Sequence, residues 1–280
     1  MAREVLTVIG VGGMGRAIAR RLGAGKTVLL ADYNDAALAS AAESLSADGH
    51  RVECRGVDVA SPESVRGLAK CAAALGDVTQ VAHTAGVSPS QAAADAILAV
   101  DLLGTALVLE EFGAVVAAGG AGVVIASMAG HLFPPPTAEQ ERALAHTPAR
   151  DLLGLDFVHA HKLAEPGIAY GIAKQANHIR VRAASAHWGR RGARINSISP
   201  GVISTPMGQQ ELASPVGDGM RAMVAMSATG RLGTPDDIAS ATAFLLGPDA
   251  SFVTGTDLLV DGGVVAALKA ASRPERTQTR

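Results

Sequence analysis

Along the 280-residue chain, short runs of apolar, mostly β-branched residues alternate with alanine-rich amphipathic segments. Val5–Ile9, Thr27–Ala31, Arg51–Val57, Val78–His83, Gly122–Ser127, Arg194–Ser199 and Asp257–Val260 read as strands. Met14–Leu22, with Met14, Ile18 and Leu22 one turn apart, reads as a helix. So do Asp35–Leu45, Pro62–Leu75, most of Pro89–Ala117, Ile168–Trp188 and Pro235–Leu246. Strands without a polar face belong in a parallel sheet covered on both sides. Right-handed crossovers then make a doubly wound α/β sheet the expected topology.

No repeat or Ser/Gly linker divides the chain, and the last strand lies near its end. Residues 1–271 are therefore expected to form one domain, with a mobile tail at 272–280. Two stretches fall outside the alternation, an insertion at 131–169 and a Met- and Gly-rich loop at 206–233. Thr137-Ala-Glu-Gln140 has the form of a capping box, which predicts a helix over Ala138–Ala145 stopped by Pro148, and a second helix over Asp151–His161. Met207, Met220, Met223 and Met226 fit either a substrate lid or a helical core stripe.

Composition narrows the function. With 48% apolar and 18% charged residues the chain can bury a large core. A net charge of −2 and 3% aromatics argue against a nucleic-acid partner. Phe112–Ala138 carries no formal charge, but Gly119-Gly120, Gly122 and Pro134-Pro135-Pro136 break it too often for a membrane span. The first residues lack a signal-peptide pattern, and a cytoplasmic location is expected. Cys54 and Cys71 form neither a disulfide framework nor a zinc pair and are expected to be buried small hydrophobes. His146, His159 and His161 read as surface residues, because positions two apart face different sides of a helix; no metal is expected.

Gly10-Val-Gly12-Gly13-Met14-Gly15 joins the first strand to the first helix. There a diphosphate can approach the backbone and meet free N–H groups. Asp32, ending the second strand, can accept hydrogen bonds from both ribose hydroxyls and would repel a 2′-phosphate, so NAD is expected over NADP. Asp58, beside Val59 after the third strand, is a candidate for the adenine amino group or a simple turn residue. Tyr170 and Lys174 lie one helical turn apart on one face. A phenol of ordinary pKa near 10 shuttles protons poorly at neutral pH, and an adjacent ammonium is expected to lower it. Ser127, ending the fifth strand, can hydrogen-bond a carbonyl oxygen at the ligand-binding edge of the sheet.

Together these residues resemble the short-chain dehydrogenase/reductase family over residues 4–263. Ala85-Gly86, Pro200-Gly201, Ile203, Thr205, Gly230–Pro235 and Asp261-Gly-Gly263 also occur in the family's order. The resemblance implies a Rossmann-type sheet of about seven strands in the order 3-2-1-4-5-6-7. It implies Tyr170 as general acid/base, Lys174 lowering its pKa and holding the nicotinamide ribose, and Ser127 orienting substrate. Ile203 and Thr205 would hold the carboxamide and diphosphate. Four departures stand out: the tighter Gly10–Gly13 spacing with Ile9 before it, His83-Thr84 ahead of Ala85, Asp101 where the family carries a relay Asn, and a step of 43 positions from Ser127 to Tyr170. The last is similar to the bacterial 3α-hydroxysteroid dehydrogenase/carbonyl reductase type. The expected reaction interconverts a small apolar secondary alcohol and ketone. The insertion would either roof the pocket or cover a helix pair used for assembly; the second alternative implies a homo-dimer. Two other readings are a catalytically silent NAD-binding sensor and a β-hydroxyacid dehydrogenase. The second needs a helical C-terminal domain, for which the βα alternation leaves no room.

Overall fold

The alternation closes into one seven-stranded parallel sheet, of order β3-β2-β1-β4-β5-β6-β7, in a computed structural model that describes residues 3–159 and 165–272. The strands are β1 (Glu4–Ile9), β2 (Thr27–Asp32), β3 (Arg51–Gly56), β4 (Asp77–His83), β5 (Val116–Ile125), β6 (Arg194–Pro200) and β7 (Asp257–Val260). β1 shows why both faces are covered. Leu6 and Val8 pack with α1 (Gly13–Leu22) and α2 (Asp35–Ala47), while Val5 and Ile9 pack on the opposite side with α3 (Pro62–Leu75). α5 (Thr105–Gly113) and α7 (Pro166–Gly189) join that second side, and α10 (Pro235–Leu246) joins the first. Each fully buried Leu or Ile contributes about 1.5–3 kcal/mol. Between β1 and β4 the strand order reverses, the place where sheets of this kind carry a ligand crevice.

Several expectations are corrected. The segment Pro89–Ala117 is not one helix. α4 (Ala94–Ile97) runs through a π-helical stretch, Leu98–Gly104, into α5, and the chain re-enters the sheet at Val116. Gly119, expected in a turn, takes φ +80° inside a register shift of β5, where Val116 pairs with Val78 and Ala121 with Gln80. β-branched Val116 favours the ladder over another helical turn. β3 is an edge strand with most of its side chains in water, so Cys54 is exposed and Cys71 half-buried, rather than both buried. Residues 206–233 hold two helices, α8 (Pro206–Leu212) and α9 (Gly217–Met226), rather than a loop. Met220 and Met223 pack there with Val202 and with Val264 of α11 (Val264–Ala271), a core stripe.

In the insertion, α6 (Ala138–His146) starts at the expected Thr137/Gln140 capping box. The expected second helix is a 3₁₀ turn, Ala149–Gly154. His161, with residues 273–280 of the tail, lies outside the described residues. Arg180 of α7 ties the insertion down, donating to the carbonyls of Leu144 (3.0 Å) and Thr147 (2.9 Å) and to Glu110 Oε1 of α5 (3.1 Å). Leu144, Ala149, Leu152 and Val158 are buried in the same core as α5 and α7, so the insertion covers that helix pair. Among the described residues no helix is long and apolar enough to cross a membrane.

Candidate active site

The glycine turn is shaped by contacts that exclude side chains. Gly10 has φ +97°, and a Cβ there would lie 2.4 Å from the Ala85 nitrogen. Thr84 Oγ1 donates to the Gly10 carbonyl at 2.7 Å, so the departure His83-Thr84 supplies its own tie between β4 and the turn. A Cβ on Gly12 would meet nothing, and one on Gly13 would touch the Thr205 side chain at 3.0 Å. Gly12 caps α1 without a side-chain hydrogen bond. The cradle is thus open to Gly12, roofed by Thr205 at Gly13, and lined by the first amides of α1. These features fit the diphosphate of a dinucleotide. Thr205 itself caps α8, accepting from the Gly208 N–H at 3.0 Å, while buried Ile203 bridges to Gly233. Gly201, after Pro200, is pressed against Asp261, where a Cβ would lie 2.7 Å from its Cα.

Asp32 stands at the other wall of the crevice. Its Oδ2 accepts from the Val11 N–H at 2.7 Å and its Oδ1 from the Asn34 N–H at 2.8 Å, which aims the carboxylate across the glycine turn. Arg16, the cation of this turn, is committed to the carbonyls of Val11 (2.9 Å) and Ala37 (3.1 Å). Asp58 is exposed, with Oδ1 accepting from the Ala60 N–H at 2.9 Å, the geometry of a turn residue. Val59 is buried against Gly104 of the π-helical stretch.

At the reacting end three elements converge. Ser127 follows β5 and caps a 3₁₀ turn, Met128–His131, accepting from the Ala129 N–H at 3.1 Å. Its hydroxyl also faces Tyr170 on α7, near enough to favour the phenolate. One turn further along, Lys174 Nζ lies 5.3 Å from the centroid of the Tyr170 ring. Asp101, in the middle of the π-helical stretch, reaches Lys174 Nζ at 3.7 Å through Oδ2 and accepts from the Val87 N–H at 3.0 Å through Oδ1. Gly86 makes room for this meeting, since a Cβ there would lie 2.8 Å from Asp101 Oδ1 and 3.3 Å from Lys174 Nζ.

Burial dominates the electrostatics. It pushes the Asp101 carboxyl up to about 6, against the pull of Lys174 and the Val87 hydrogen bond. The expectation that Lys174 brings the Tyr170 phenol down is met only in part. Burial raises that phenol; Lys174 and the nearby Ser127 hydroxyl oppose the rise, and Asp101 and Glu211 add to it. His83 is buried and held neutral, near 3, by desolvation and by Lys174.

Sequence reasoning missed several groups. Glu211 of α8 is half-buried, beside Ser88, and close enough to raise the Tyr170 phenol. Ser88 and Glu211 sit on loops and helices with no motif, and only the fold brings them to Tyr170. His131, His178 and Asp257 also cluster, on three elements far apart in the chain.

Comparison with known proteins gives the same outline. The sequence profile of short chain dehydrogenases matches residues 4–138, and that described as enoyl-(acyl carrier protein) reductase matches residues 137–265. The short-chain dehydrogenase/reductase bsc3 of Alternaria brassicicola is 42% identical over 269 residues, covering 96% of this chain and 98% of its own. The 3-alpha-hydroxysteroid dehydrogenase/carbonyl reductase of Comamonas testosteroni is 38% identical over 103 residues, 36% of this chain and 39% of its own. A short-chain type dehydrogenase/reductase structure from Mycobacterium ulcerans superposes with a TM-score of 0.73 at 25% identity, covering 94% of this chain and 90% of that one.

Proposed function

This chain belongs to the short-chain dehydrogenase/reductase family, and from that footing we propose that it interconverts a small secondary alcohol and a ketone, with NAD preferred and Tyr170 as general acid/base. Members of the family use nicotinamide cofactors, whose chemistry when bound is hydride exchange with the substrate carbon. The uncapped start of α1 and the open face of Gly12 would hold the diphosphate, beside the Thr205 side chain. Asp32 retains lone pairs for the two ribose hydroxyls, and its charge opposes a 2′-phosphate. Arg16, tied to backbone carbonyls, does not offset that charge.

Ser127 donates to the substrate oxygen and so stabilises charge developing there. Tyr170 gives its proton to that oxygen during reduction and takes one back during oxidation. Lys174 favours the phenolate and Asp101 opposes it, so the working pKa of the phenol reflects a contest set by this chain's own residues. The approach to Tyr170 is not wholly apolar, because Glu211 and Ser88 border it and Met220 and Met223 are spent on packing.

The observation that carries this reading is the convergence of Ser127, Tyr170 and Lys174 at the carboxyl edge of β5. Tyr170→Phe tests it. Turnover should fall by about 10²–10⁴-fold with NADH affinity retained. A sensor without catalysis would have no turnover to lose, and unchanged turnover in the variant would sink the assignment.

A further inference from the structure

Behind the reacting groups lies a second cluster that hydride transfer does not use. His131 ends the 3₁₀ turn that Ser127 begins. His178 follows Lys174 by one turn of α7, and Asp257 opens β7. His131 Nε2 is 2.8 Å from Asp257 Oδ2, and His178 Nε2 is 3.5 Å from Asp257 Oδ1. The two imidazoles are 4.7 Å apart, centroid to centroid, and one donor atom from each of the three residues lies within 4.8 Å of the others. Two hydroxyls complete the set. Ser197 Oγ donates to Asp257 Oδ1 at 2.6 Å, and Ser199 Oγ is 2.8 Å from His178 Nε2. The geometry points to a binding site for one first-row divalent ion of the zinc class, held by His131, His178 and Asp257.

Donors in a tetrahedral zinc site are bonded at about 2.0–2.2 Å, which sets them roughly 3.3–3.6 Å apart. The 3.5 Å separation falls inside this range and the 2.8 Å one is shorter. From within 4.8 Å of one another, the imidazole nitrogens need to close by at most about 1.5 Å, and His131, a quarter exposed, is the more mobile of the two. Two imidazoles and one carboxylate suit Zn²⁺, Ni²⁺, Co²⁺ or Cu²⁺ rather than Mg²⁺, which takes oxygen ligands. Asp257 supplies charge against the ion, and its bond from Ser197 orients it as outer-sphere partners orient metal-binding carboxylates. Ser199 Oγ or a water entering past His131 provides the fourth position. Bound there, the ion joins the turn capped by Ser127 to the helix carrying Tyr170 and Lys174. It braces the two elements against each other without touching substrate.

The test uses the untagged full-length protein, stripped with chelator and titrated with Zn²⁺ by calorimetry, with Co²⁺ absorption as a spectroscopic check of imidazole ligation. One ion per chain is expected, with an upward shift of the melting temperature on zinc addition. His131→Ala and Asp257→Asn should each weaken binding by more than about 100-fold, since loss of even outer-sphere partners costs 10–100-fold. Both should also lose the zinc-dependent shift, whereas His146→Ala on α6 should bind as the parent does. NADH binding reports that each variant is folded, and His131→Gln replaces His131→Ala if the smaller residue does not fold. Zinc that fails to bind the parent, or binds these variants as tightly, overturns the proposal.

Discussion

Lys174 Nζ lies 3.7 Å from Asp101 Oδ2, and both side chains are almost wholly buried, at 5% and 0% exposure. One ammonium is therefore shared between a buried carboxylate and the phenol ring 5.3 Å away. At 3.7 Å the pair is an ion pair too long for a hydrogen bond, and Asp101 Oδ2 has no hydrogen-bond partner. The carboxylate competes with Tyr170 for the charge that makes the phenol a usable acid.

Asp101→Asn should release that charge. The carboxylate raises the phenol pKa and Lys174 lowers it, so removing the first leaves the second unopposed. The acidic limb of kcat/KM for alcohol oxidation, below which the phenolate is lost, should move to lower pH. A pH–rate profile of both proteins checks this, and a limb that stays put or moves to higher pH contradicts it.

Lys174→Met should destabilise the fold in a pH-dependent way. Breaking a buried pair costs about 3–5 kcal/mol because an unpaired charge remains. The Asp101 carboxyl is already raised to about 6 with its partner present, and rises further without it. A carboxyl raised further in the folded state adds a penalty that accrues as pH climbs above the parent value near 6, so the loss should be large at pH 8 and mostly absent at pH 5. Urea unfolding at the two pH values measures it.

Asp32→Asn should relax the choice of cofactor. The amide oxygen can still accept from the Val11 N–H, so the turn keeps one of its ties while the negative charge goes. A charge-assisted hydrogen bond is worth about 1.5–3 kcal/mol, so the NAD-to-NADP ratio of kcat/KM should fall by roughly 10–100-fold. A ratio that does not change would remove Asp32 from the ribose site.

The insertion bears on assembly. It is fastened over α5 and α7 by Arg180 and buried against both. The insertion therefore stands between those two helices and solvent, whereas Phe244 and fully exposed Phe252 remain in water near α10. A dimer is the expected state, and light scattering that returns a tetramer mass would refute it.

Most of the sheet was legible in the sequence because its central strands are short and apolar, and several helices carry their own start signals. Pro62 and Pro235 open α3 and α10 at the expected residues, and Thr137 and Gln140 begin α6. The glycine turn, Asp32, Ser127, Tyr170 and Lys174 were legible for the same reason, since strand ends and helical spacing are local. Other features depend on neighbours distant in sequence. Gly119 reads as a turn until β4 is beside it to pair with Val116 and Ala121. Cys54 reads as buried until β3 proves to be the edge.

The phenol is the sharpest case. Tyr170-x-x-x-Lys174 alone implies an acidified tyrosine, because the spacing discloses the favourable charge. Desolvation and the opposing carboxylates of Asp101 and Glu211 come from a π-helical stretch and from α8, at positions 69 residues before and 41 after it. The same holds for His131, His178 and Asp257, which no spacing connects and which three elements bring together. The sequence by itself determined which groups sit on which element. Tertiary structure alone decided how much water each one loses and which charges it meets, because solvation and Coulomb energies depend on distance in space rather than along the chain.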